Sequence, residues 1–61
     1  MNISIILLYE ALDHGKQSRL YSGSKDKAEE AARKDLLQLM NQQCVIWYNI
    51  IDVTEAKVIE V

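Results

Sequence analysis

The sequence predicts an α+β fold, a four-stranded antiparallel sheet carrying a single helix on one face. Three observations predict it. Residues 3–9 and 44–51 are rich in β-branched, aliphatic and aromatic side chains at both alternating sets of positions, the composition of strands covered on two sides. Only one helical stripe, Ala28, Ala31, Ala32, Leu36, Leu39 and Met40, lies between them, with the i, i+3, i+4 spacing of a helix that buries one side. Turn chemistry divides the remainder into two shorter strands. The whole of residues 1–61 reads as one ββαββ domain.

The first strand, β1, is expected over residues 3–11, where Ile3, Ile5, Leu7 and Tyr9 alternate with Ser4, Ile6, Leu8 and Glu10. Asp13, His14, Gly15 and Lys16 form the turn, with Gly15 free to take a positive φ. The more polar residues 17–22 return as β2. Ser24 stands where an N-cap hydroxyl would accept from the open amides of the next turn. Asp26, Glu29 and Glu30 follow at the positive end of the helix dipole. The helix, α1, is expected over residues 25–41, with alanines first, for close approach to the sheet, and leucines last, to fill volume. Residues 44–53 form β3 and residues 56–61 form β4. The turn between them lacks glycine, so a loose connection is expected.

A right-handed crossover through α1 sets β3 beside β1. The sheet order is therefore 2-1-3-4, with the apolar strands central and the more charged ones at the edges, where charge discourages aggregation. One helix covers one face. With Ile3, Ile5, Leu7, Leu20, Ile46, Ile50 and Ile59 under the helix, the open face carries Ile6, Leu8, Arg19, Tyr21, Trp47, Asn49, Ile51 and Val58. Trp, Tyr and Arg are the types enriched where proteins bind one another, so this face is the expected surface for a protein partner or a second copy.

Composition narrows the chemistry. With one cysteine and one histidine, an internal disulfide is impossible and a zinc site of several Cys and His is excluded. No metal and no cofactor is expected. His14 lies in a turn with no nucleophile near it in sequence, and Cys44 reads as a small hydrophobe at a strand start, so the chain is expected not to be an enzyme. Glu29 and Glu30, adjacent on a helix, diverge. Gly15 and Gly23 are isolated, so no phosphate-binding loop is present. No export signal is expected, since Met1 and Asn2 bring no basic side chain and Glu10 interrupts the apolar start. No run reaches the length of a membrane span, and a cytoplasmic location is expected.

The alternative to protein binding is nucleic-acid association. Lys16, Arg19, Lys25 and Lys27 outnumber Asp26 along residues 16–27, with Tyr21 among them, a pairing that can hold phosphate and stack a base. The formal net charge of −2 favours no such attraction overall. At this length a single core is thin, and homodimerisation is the expected reinforcement. In size and architecture the chain resembles the small accessory and inhibitor proteins of phages and mobile elements, anti-CRISPR proteins included. That resemblance rests on no particular residue, and it implies a protein that inhibits or regulates a larger host assembly by occupying a surface.

Overall fold

The computed structural model describes residues 2–60. In chain order it contains β1 (Ile3–Ala11), β2 (Gly15–Ser22), α1 (Lys25–Gln42), β3 (Val45–Asp52) and β4 (Lys57–Ile59). The strands form one antiparallel sheet in the order β2-β1-β3-β4, and α1 packs on one face. Fold class and strand order are those expected. Met1 and Val61 lie outside the described residues, so the expected last residue of β4 does too.

The first hairpin is tighter than expected. The His14 amide donates to the Ala11 carbonyl at 3.1 Å, and Gly15, at φ 74°, pairs with Ala11. This is a three-residue loop whose left-handed glycine rejoins the ladder opposite Ala11. Beginning β2 at Gly15 sets its phase, and the phase is opposite to the one expected. Leu7 faces Arg19 and Ile5 faces Tyr21, while Ile6 faces Leu20. Arg19 and Tyr21 therefore lie on the helix side and Leu20 on the open side, because a one-residue change of phase inverts a strand.

A bulge corrects the assignment of Ile46. Glu10 pairs with Trp47 and Ala11 with Val45, so Ile46 is the extra residue and is exposed. It lines a surface depression with Glu10, Lys16 and Trp47 on the open face. Ile3 precedes a further irregularity between Ile3 and Ile5 and is exposed, not buried.

The core is the contact of α1 with the inner strands. Ile5, Leu7, Tyr9 and Ala11 alternate along β1, Ala28, Ala32, Leu36 and Leu39 recur along α1, and Ile50 joins from β3. The alanines bring the helix start close to the sheet and the leucines fill the wider end. Met40, expected in the stripe, is exposed, since it falls to one side of the line through Leu36 and Leu39. The Ser24 carbonyl accepts from the Ala28 amide at 2.9 Å, but the Ser24 hydroxyl makes no capping bond. That part of the expectation is corrected, and Asp26 remains as the first-turn charge.

The β3–β4 hairpin turns through residues 53–56, closed by the Asp52 to Lys57 pair. With no glycine available, Ala56 takes φ 53°, a left-handed conformation that costs a residue bearing a Cβ roughly 1–2 kcal/mol. Ala56→Gly removes that cost while adding unfolded-state entropy. The variant is expected to gain up to about 1 kcal/mol in urea denaturation, and a loss would contradict the left-handed turn.

Candidate protein-interaction face

The open face is organised in rows that cross the sheet. Leu20 of β2 stands opposite Ile6 of β1, Ile6 opposite Ile51 of β3, and Ile51 opposite Val58 of β4. This unbroken aliphatic row spans all four strands, about 14 Å at the usual strand spacing of ~4.8 Å. The next row is Ser18, Leu8 and Asn49, and the third is Lys16, Glu10 and Trp47. A depression of about 330 Å³ lies at that third row, lined by Glu10, Lys16, Ile46 and Trp47. Leu20 is 60% exposed and Trp47 46%, while Val58 and Ile46 are also exposed and Ile6, Leu8 and Ile51 are half-buried.

Of the residues expected on this face, Ile6, Leu8, Trp47, Asn49, Ile51 and Val58 are together there. Arg19 and Tyr21 are not. They meet α1 instead, where the Tyr21 hydroxyl donates to Asp35 Oδ2 at 2.7 Å and Arg19 Nη1 pairs with the same oxygen at 3.4 Å. Burial, and then the bond to Asp35, raises the Tyr21 phenol above its ordinary value. Leu20 and Ile46 are the apolar members that the sequence reading placed elsewhere. The signal for Leu20 was Gly15, since a glycine rejoining β1 opposite Ala11 determines the phase of β2.

The basic set is largely engaged in structure. Lys25 Nζ lies 3.1 Å from Asp52 Oδ2 and 2.9 Å from Glu55 Oε2, and these partners raise its pKa above the ordinary lysine value. Arg19 is held by Asp35. Among the described residues, Lys16 and Lys27 are the members without an ion pair. Asp52 itself is fully buried. Its Oδ1 accepts from the Thr54 amide at 2.9 Å and the Glu55 amide at 3.1 Å. The Glu55 amide and Lys25 hold its carboxyl below the usual carboxylate range, against the opposing effect of burial.

Groups that could do chemistry are dispersed. The Leu12 amide donates to the Cys44 carbonyl at 2.9 Å, which sets Cys44 beside the first turn. His14 and Cys44 are both exposed and make no hydrogen bond to each other. Among the described residues no group of three or more His, Cys, Asp and Glu could hold a metal ion, and no helix is long and apolar enough to cross a membrane. Comparison with protein-family models, with curated proteins and with solved structures finds no match for this chain.

Proposed function

We propose that this chain is a non-enzymatic, homodimeric protein-binding module, one that inhibits or regulates a larger assembly by occupying part of its surface. The observation that carries the reading is the aliphatic row Leu20, Ile6, Ile51 and Val58, with Trp47 beside it, on a face that no element among the described residues covers. An apolar surface continuous across a whole small sheet is the kind that marks an interaction site. Covering several hundred Å² of it releases on the order of 10 kcal/mol before the costs of association. Size supports the regulatory role, since a chain this short can block a surface without chemistry of its own. The engagement of Arg19 and Lys25 by carboxylates weighs against the nucleic-acid alternative.

Leu20→Glu tests the reading with little risk to the fold, because the side chain is mostly exposed. A protein retained from native-cell extract by the wild-type chain is expected to be lost on the variant, with unchanged far-ultraviolet circular dichroism. Equal retention by the two would remove the open face from the function. Tight oligonucleotide binding that weakens steeply with salt would favour the nucleic-acid reading instead.

A further inference from the structure

The two edges of the sheet differ in how they are finished. On the β3 side, β4 covers only Ile50, Ile51 and Asp52. Among the described residues, nothing pairs with residues 45–49 on that side, which leaves a five-residue notch where a fourth strand stops short. Backbone donors and acceptors on such an edge are matched fully only by another extended backbone.

The walls of the notch are apolar on both faces of the sheet. Ile46 and Trp47 are exposed on the open side. Tyr48, paired with the buried Tyr9, lies on the helix side and is exposed as well. Above it runs a flank of α1 whose direction is given by Arg33, which donates to the Glu60 carbonyl just past β4 at 2.9 Å. Leu37 and Met40 follow Arg33 at i+4 and i+7 and so continue this flank past the end of β4. Both are exposed, Leu37 at 62%. Five large apolar side chains thus border this stretch, which among the described residues lacks a partner on the β4 side.

Charge indicates which strand fits. Every one of these residues belongs to residues 36–51, which contain no charged side chain in a chain of net charge −2. Glu10 and Lys16, of opposite sign, line the depression beside Ile46 and Trp47, so two copies meeting here set no net charge of one sign against another. The edge is also self-complementary, since an antiparallel neighbour of the same sequence returns the same backbone row and the same apolar borders about a two-fold axis. Complete coverage of the exposed parts of the five side chains buries on the order of 1,000 Å² over two copies, about the lower limit for a specific interface.

We propose that a second copy of this chain adds its own β3 edge, antiparallel, along residues 45–49, joining the two sheets into one. The inference rests on the homodimeric part of the proposed function and leaves the aliphatic row of each copy free for a different partner. Solution mass by analytical ultracentrifugation across dilution tests it. The wild-type chain is expected to run as a dimer at high micromolar concentration, with amide exchange in residues 45–49 slowing as concentration rises. Leu37→Lys combined with Met40→Lys, both exposed and neither on the open face, is expected to shift dissociation to at least tenfold higher concentration, with unchanged circular dichroism. Leu20→Glu is expected to remain dimeric.

A wild-type chain that stays monomeric overturns both the edge and the homodimer while leaving capture through the open face intact. A dimer lost in Leu20→Glu but kept in the lysine variant places the copies face to face and overturns the edge alone.

Discussion

Leu36→Ala is expected to lower the free energy of unfolding by about 2–5 kcal/mol, a large share of the roughly 3–9 kcal/mol that a chain of this length commands. Leu36 is 1% exposed and lies in the core with Ile5, Leu7 and Ile50. The two alanines of the helix, Ala28 and Ala32, bring backbone close but contribute little volume, so Leu36 and Leu39 supply most of what α1 buries. Truncating Leu36 leaves a cavity that a single helix on a four-stranded sheet has little freedom to collapse. The neighbouring residue is the control. Leu37→Ala removes the same atoms from a mostly exposed position and, at concentrations low enough for the chain to be monomeric, is expected to cost less than about 0.5 kcal/mol. Urea midpoints of the two variants decide the matter, and equal losses would mean that the helix does not present the face described.

Acid is expected to unfold the chain through Asp52 and Glu55. Both carboxyls are held below their ordinary values, Asp52 first by the Glu55 amide and then by Lys25, Glu55 first by Lys25 and then by Lys57. The folded state therefore favours their charged forms, and the unfolded state binds more protons once pH drops to the ordinary values of 3.8 and 4.5. Stability from these groups is complete above that range and is lost as pH falls through the lower folded values. Lys25 acts in the opposite direction at the other extreme. Its raised pKa keeps its contribution complete below the ordinary lysine value of 10.5 and loses it only at higher pH.

Asp52→Asn retains an acceptor for the Thr54 and Glu55 amides but removes the charge opposite Lys25. Its melting temperature is expected to lie below that of the wild type at neutral pH and to change less between pH 6 and pH 3. Asp52→Ala, which removes the acceptor too, is expected to be the less stable of the two. If all three chains show the same pH dependence, the Asp52 and Lys25 pair does not anchor the start of α1 to the last hairpin.

Elements built from local rules were legible in the residues. The span of β1 is the one read from its alternation, and the start of α1 after Ser24 and the core positions Ala28, Ala32, Leu36 and Leu39 follow from helical spacing. Strand order followed from the crossover rule together with the apolar character of β1 and β3. What escaped was phase. Leu20 is expected under the helix with Ile5 and Leu7, yet the three-residue turn at Gly15 orients it outward and points Arg19 and Tyr21 at Asp35. An edge strand tolerates that exchange, since Asp35 on the helix supplies the polar partner that the part-buried Tyr21 hydroxyl requires and a counter-charge for the exposed Arg19.

Asp52 falls near the end of the expected β3 with nothing in the residue pattern to mark it as buried, yet among the described residues it is the one fully buried charged side chain. Its partners, Lys25 at the head of α1 and the amides of the last turn, come from segments far apart in sequence or from loop geometry that a residue pattern does not specify. The short β4, and with it the uncovered edge of β3, could not be read from composition either, because strand length at a sheet margin depends on where the chain is diverted. Here the Glu60 carbonyl is taken by Arg33.

The number, type and order of the elements, and the excess of apolar strand over the helix available to cover it, were written in the residues. Those properties reside in local periodicity, turn residues and the handedness of a crossover. Pairing across the sheet, which no residue pattern specifies, set which side chains share the open face, aligned Leu20, Ile6, Ile51 and Val58 in one row, and left residues 45–49, among the described residues, without a partner on the β4 side. The physical reason is that strand alternation has a period of two. A single bulge or turn residue reassigns a whole strand between faces, and the register that results is settled by pairing across the sheet.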